Sequence, residues 1–402
     1  MSPGLKETAL ATLDARRDEL IRISTLIHSN PEIAFKEFKA SGWLCDTLER
    51  AGFAVTRGIG GLETAFRAEA YGNGDGPTVA LLAEYDALPE LGHACGHNIM
   101  GTAAIGAALA VKSVLAELPG RVVVIGTPAE EGGGGKVILV EKGVFNDVDA
   151  AMIVHPSGRT IGVRGSLAST RLFLEFNGRA SHAAAAPEDG INALEAVILT
   201  FNNVNALRLH LRPDARVHGI ITSGGTAANI IPNFASAQFS VRAAKQAYAQ
   251  EVLRRVIQCA EAGAAATGAS VKFWTNPSYA EIIPNMTLAQ AFTANWESIG
   301  VRVEAPRPNE RGGSSDMGNV SHVVPAIHPY IKITPDGVGG HTPEFREAAV
   351  SPDGNDGMIS AAKGLALTTI DLLSNPDLMT RVKNEFIETV QKQQVERLGK
   401  FE

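Results

Sequence analysis

Residues 78–89 read TVALLAEYDALP, and this stretch decides the fold. Thr78 to Ala83 is a short, almost wholly apolar run. It gives way at once to a polar turn that carries Glu84 and Asp86. A run this short without polar alternation fits a strand buried on both faces. The same pattern recurs at Arg121 to Gly126 and at Ala150 to Val154, each followed by a polar or glycine-rich turn. A helix is expected over Gly101 to Leu118, between the first two runs. Upstream, Leu5 to His28 has apolar residues at helical spacing. Phe38 to Ala51 does too, and it is stopped by Gly52. Strands that alternate with helices predict an α/β domain with a mainly parallel sheet and helices on both faces.

The middle of the chain has another rhythm. Thr170 to Phe176 alternates like a half-exposed strand, and Ile191 to Leu209 is helical. Val217 to Thr222 and Phe234 to Val241 are strands, Tyr248 to Ala265 is helical, and Ser270 to Trp274 is a strand. The order βαββαβ is the ferredoxin-like arrangement. Residues 168–284 are therefore expected to form an inserted domain, with 1–167 and 285–402 together forming the larger one. The α/β pattern resumes with a helix over Leu288 to Ile299, a strand near His328 to Ile333 and helices from Gly357 onward. A chain of 402 residues also exceeds the size at which single cores stop growing.

Composition narrows the function classes. The net charge is −7 and no basic cluster tracks a phosphate backbone, which argues against a nucleic-acid partner. No apolar stretch is long enough to span a membrane, and the N-terminus lacks the apolar core of a signal peptide. Three cysteines, Cys45, Cys95 and Cys259, cannot build a disulfide framework. These features together point to a cytoplasmic protein.

Ligands of open α/β sheets collect at the carboxyl ends of strands, and four clusters stand there or on nearby turns. Cys95 and His97 flank Gly96, and both can face one ion; a buried cysteine beside a helix-capping histidine is the bland alternative. Glu130 and Glu131 follow the strand ending at Gly126. Adjacent acids there suit one metal ligand and one proton carrier. His155 ends a third apolar run and His341 sits on a glycine turn. Either histidine alone is more simply a structural residue, but the clusters together could hold two metals sharing one ligand. The glycines at 132–135 followed by Lys136 suggest a phosphate loop. Val137 stands where Ser or Thr is required, however, and the nucleotide reading fails.

These motifs resemble those of the two-metal peptidase and amidohydrolase family that includes aminoacylases, bacterial glutamate carboxypeptidase and hippurate hydrolase. They are most similar to the subgroup of aminobenzoyl-glutamate hydrolase and β-alanyl-lysine dipeptidase. The resemblance runs nearly end to end. It includes HSNPE at 28–32, DALP at 86–89, CGH at 95–97, Glu130-Glu131, His155-Pro156, SHAA at 181–184, NIIP at 229–232, SDMGNVS at 315–321 with Val324-Pro325, and His341.

The resemblance implies that Cys95, His97, Glu131, His155 and His341 bind two divalent ions, with Cys95 bridging. Zinc is the first choice of metal and manganese the second. It implies that Glu130 is the general base for a metal-bridging water and that Asp86 orients a ligand. The inserted domain matches a lid and dimerisation domain, which implies a homodimer. His182 matches a lid histidine that reaches a neighbouring subunit's site, and Asn229 and Arg242 match lid positions near substrate. Many relatives carry His-x-Asp where this chain has Glu84-Tyr85-Asp86, so His97 takes the missing ligand's place. Many also carry Asp where this chain has Asn98.

The expected activity is hydrolysis of an amide bond in a small N-acyl amino acid, dipeptide or aminobenzoyl-glutamate-like compound. A silent ligand-binding dimer of the same fold is the alternative. A redox thiol protein is disfavoured, because no resolving cysteine lies near Cys95. Pocket walls are expected from loops around Tyr85, Arg311 to Ser315 and His328.

Overall fold

The computed structural model describes residues 3–307 and 312–398; Arg311, expected to line the pocket, lies outside them. Twelve strands are present among the described residues. They are β1 (Ala54–Arg57), β2 (Phe66–Tyr71), β3 (Thr78–Ala83), β4 (Arg121–Gly126), β5 (Ala150–Met152), β6 (His155–Ser157), β7 (Ala168–Asn177), β8 (Arg216–Ser223), β9 (Phe234–Ala243), β10 (Ser270–Thr275), β11 (Ala326–Ile327) and β12 (Tyr330–Lys332). The chain divides into two compact units. One comprises the chain up to Gly165, Ile282–Gly312 and the chain from Asp316; the other is Ser166–Glu281 with Gly313–Ser315.

In the first unit a six-stranded sheet has the order β1-β2-β4-β3-β5-β11. The pairs β4–β3, β3–β5 and β5–β11 are parallel, while β1 and β2 add an antiparallel edge. β3 is buried along its whole length because it lies inside the sheet and both faces are covered. Val79, Leu81 and Ala83 point to one core, with helices Pro3–Ala15, Arg17–Ser29, His97–Lys112 and Pro352–Ser374. Ala80 and Leu82 point to a second core containing Leu139, Phe145, Met317 and Val320. The period-two alternation of strand side chains thus explains why an unbroken apolar run was needed. The mixed α/β architecture with helices on both faces agrees with the sequence expectation.

The helix His97–Lys112 is rich in alanine and glycine, and nearly all of it is buried. Small side chains let it lie close against the sheet: a Cβ at Gly101 would come within 2.7 Å of the Glu84 carbonyl oxygen. One expected helix, Leu5 to His28, is instead two, Pro3–Ala15 and Arg17–Ser29. They meet at Arg16, whose φ of −98° and ψ of 4° leave the helical region. The break lets Leu5, Ala9 and Leu13 on one half, and Leu20, Ile23 and Ile27 on the other, each reach the core. The run expected as one strand over Ala150 to Val154 is interrupted, and pairing resumes at β6 with β12.

The second unit follows the order β7, helix Ala193–Arg208, β8, β9, helix Gln246–Thr267, β10. Its antiparallel sheet has the order β10-β7-β9-β8. Alternate residues Leu172, Leu174 and Phe176 of β7 and Ala237, Phe239 and Val241 of β9 bury against the two helices. Asn192 caps the first of these helices by accepting from the N–H groups of Leu194 and Glu195. Among the described residues, no helix is long and apolar enough to cross a membrane.

Candidate metal centre

Five sequence-expected ligands and Glu130 converge in the first unit. Ligating atoms of Cys95, His97 and His155 lie within 4.8 Å of one another, as do those of Cys95, Glu131 and His341, and those of His97, Glu130 and Glu131. Cys95 belongs to two of these groups. Its Sγ is 3.3 Å from His155 Nε2.

Local structure explains the convergence. Gly96 separates Cys95 from His97 at a φ of 81°, in the left-handed region that favours glycine. A Cβ there would also meet Pro156 Cγ at 2.8 Å. His97 then opens its helix with Nδ1 against the Asp86 carbonyl oxygen at 2.9 Å and Asp86 Oδ1 at 3.0 Å. That contact leaves Nε2 as the atom available to an ion. Asp86 Oδ2 accepts from the Glu131 backbone N–H at 3.0 Å, so one carboxylate positions two of the clusters. His155 Nδ1 is occupied by the Pro156 carbonyl oxygen at 2.6 Å, which turns Nε2 toward Cys95. His341 has a φ of 66°, unusual for a non-glycine residue, and its N–H donates to the Ala94 carbonyl oxygen at 2.8 Å. Its Nε2 lies 3.3 Å from Glu131 Oε1.

The donor set fits divalent ions. Sulfur, imidazole and carboxylate together suit zinc or a similar borderline cation. His97 Nε2 and Glu131 Oε1 are buried and make no well-formed hydrogen bond among the described residues, as expected of atoms that serve an ion. Burial pushes the Cys95 thiol well above its ordinary range, reinforced by the Glu131 charge, so a cation is needed to make thiolate favourable. Burial holds His155 down to about 4, keeping it neutral as a ligand must be. Burial, then the charges of Glu84, Glu131 and Asp316, raise the Glu130 carboxyl well above the usual range.

Several supporting residues were not singled out from sequence. Ala129 has a φ of 64°, and its N–H donates to Glu37 Oε1 at 3.0 Å, which fixes the turn before Glu130. Glu37 is buried and also accepts from Thr64 Oγ1 at 2.8 Å. Lys136 is fully buried, with Nζ at 2.5 Å from Glu84 Oε1 and 2.8 Å from Asp316 Oδ1. The lysine that follows the glycine run is thus engaged by two carboxylates. Nothing local in the sequence signals these pairings.

The three remaining expected site residues lie in the second unit. His182 is exposed, and its Nδ1 accepts from the N–H groups of Ala184 and Ala185 at 3.2 and 3.1 Å. The Asn229 carbonyl oxygen accepts from the Ala183 N–H at 3.0 Å, which brings the two loops together. Arg242 is half-buried near the far end of β9, opposite Ser169 and Arg216. The structure therefore groups His182 with Asn229 but not with Arg242.

A half-buried cysteine, three histidines and paired acids, gathered beside an α/β sheet, are the donor set and proton carrier that a metallohydrolase centre needs. The chain matches the model of peptidase family M20/M25/M40 over residues 80–353. It belongs to that family, and it is a metal-dependent hydrolase of amide bonds. It is 40% identical to the Xaa-Arg dipeptidase of Mus musculus, across 97% of this chain and 94% of the relative. It is 32% identical to a p-aminobenzoyl-glutamate hydrolase chain of Escherichia coli, across 93% of each. The fold also matches a dinuclear metal-binding peptidase of the M20 family from Bacillus subtilis, with a TM-score of 0.67 and 23% identity over 89% of this chain and 99% of that one.

Proposed function

We propose that this enzyme cleaves small dipeptides and related N-acyl amino acids at a two-metal site. Cys95, His97, Glu131, His155 and His341 would hold the ions, with Cys95 between them. The observation that carries this reading is the sharing of Cys95 by two ligand groups, with Glu130 beside them. The similarity to Xaa-Arg dipeptidases over nearly the full chain favours a dipeptide with a basic carboxyl-terminal residue.

Two such cations, when bound, acidify water and polarise an amide carbonyl. Glu130 then has the proton-carrying role. Burial and the neighbouring carboxylates raise its affinity for a proton, which suits a group that takes a proton from water and returns it to the departing amine. Asp86 holds His97 and the Glu131 backbone in place. His182, on the exposed turn of the second unit, would reach the site of a partner subunit in a homodimer, and Asn229 beside it would contact substrate. Arg242 would act separately, near the other end of the same sheet. Residues 168–284 serve as lid and dimerisation domain in this reading. Zinc is the favoured metal, manganese the second, and the cytoplasm the expected compartment.

Mass spectrometry of products from a panel of dipeptides and N-acyl amino acids tests the proposal. Release of the free carboxyl-terminal amino acid, stopped by a chelator and restored by zinc, is the expected result. No release from any substrate by metal-loaded protein would refute it.

A further inference from the structure

His328 follows β11, at the carboxyl end of the parallel sheet. It is 5% exposed, and neither ring nitrogen has a hydrogen-bond partner among the described residues. Buried side chains rarely leave both ring nitrogens unmatched, and such groups call for a specific explanation. The folding pattern offers none. The ring lies tilted against His155, with centroids 5.5 Å apart, and edge-on to Tyr330 at 4.9 Å. The backbone fixes it there: the His155 N–H donates to the Pro329 carbonyl oxygen at 2.9 Å, and Tyr330 is the register partner of His155. His328 therefore stands one ring away from a proposed metal ligand.

One cationic side chain stands close to these rings. Arg164 lies over the Tyr330 ring, its guanidinium carbon 4.8 Å from the centroid. A neutral imidazole offers one donor and one acceptor. With Arg164 close by, the donor suits an anionic oxygen. An amino-acid carboxylate with its neighbouring N–H supplies both complements.

We infer that His328 is a specificity-determining residue whose ring donates a hydrogen bond to the carboxylate of the substrate's leaving amino acid. The inference rests on the proposed dipeptidase reading, and it adds the end of the substrate that His328 recognises. The unmatched nitrogens are then a cost accepted in the free enzyme and relieved when substrate binds.

The test compares alanyl-arginine with alanyl-argininamide, which lacks the carboxylate. Wild type, His328→Phe and His328→Leu are assayed for kcat/KM, metal content and urea unfolding midpoint. Wild type should prefer the acid. Both variants should lose about 10- to 100-fold on the acid and little on the amide, the range for a hydrogen bond to a charged group. Their metal content should not change. Their unfolding midpoints should hold or rise, because an apolar ring or chain replaces an unmatched polar one. Equal losses on both substrates, no loss, loss of metal or a lowered midpoint would each overturn the inference. Wild type that turns over both without preference would sink only this inference. If wild type cleaves neither, the dipeptidase reading fails, and calorimetry with free arginine decides: weaker binding in both variants supports the carboxylate contact, and unchanged binding overturns it.

Discussion

Lys136 and Asp316 are joined twice: the Lys136 backbone N–H donates to Asp316 Oδ2 at 2.9 Å, and its ammonium donates to Oδ1 at 2.8 Å. Both side chains are fully buried, and Glu84 completes the group from the end of β3. The ion group ties the glycine turn after Glu130 and Glu131 to the segment that opens at Asp316. Removing one partner of a buried ion group strands the others. Lys136→Met should cost about 3–5 kcal/mol of unfolding free energy, measured by urea denaturation. Pairing it with Glu84→Gln and Asp316→Asn should recover much of that loss. A single variant as stable as wild type would show that the group contributes little.

Glu130 lies beside Glu131 and is proposed to carry protons rather than bind an ion. Glu130→Gln should retain its metals by elemental analysis yet lower kcat by roughly 10²–10⁴-fold. Near-normal turnover would remove Glu130 from the mechanism, and loss of metal would make it a ligand.

Cys95 is the one cysteine within reach of the candidate ligands among the described residues. Cys95→Ala should release metal and abolish turnover. Cys45→Ala and Cys259→Ala should keep both properties, because Cys45 is a buried core thiol and Cys259 packs at the margin of the second unit's core. A Cys95 variant with full metal content would rule out a bridging role.

His182 tests the dimer. Two inactive variants, His182→Ala and Glu130→Gln, are mixed under conditions that allow subunits to exchange. A mixed dimer then has one site with an intact Glu130 and an intact His182 from the partner. Equal mixing makes about half the dimers mixed, so roughly a quarter of all sites should recover activity. No recovery after proven exchange would place His182 outside the partner's site.

How legible each feature was depended on how local its cause is. β3 and β4 could be read directly, because strands buried on both faces must be apolar throughout. The antiparallel strands β1 and β2 were not foreseen; β1, at the sheet edge, has only four residues, most of them exposed, and too short a pattern to read. The break at Arg16 was also hidden, since the apolar spacing continues across it. Cys95, His97, Glu131 and His155 stood out because each follows a strand or sits on a glycine turn. The Lys136–Asp316 pair could not be read, because 180 residues separate its members and only the folded chain joins them. Glu37 was missed for the same reason: its partner at Ala129 lies 92 residues away.

The most direct test of the two-metal account is a titration of chelator-stripped enzyme with zinc, following bound metal by elemental analysis and alanyl-arginine hydrolysis together. The account predicts no turnover in the stripped protein, binding that saturates near two ions per chain, and activity that rises as the sites fill. Full activity in protein shown to contain no metal would contradict it.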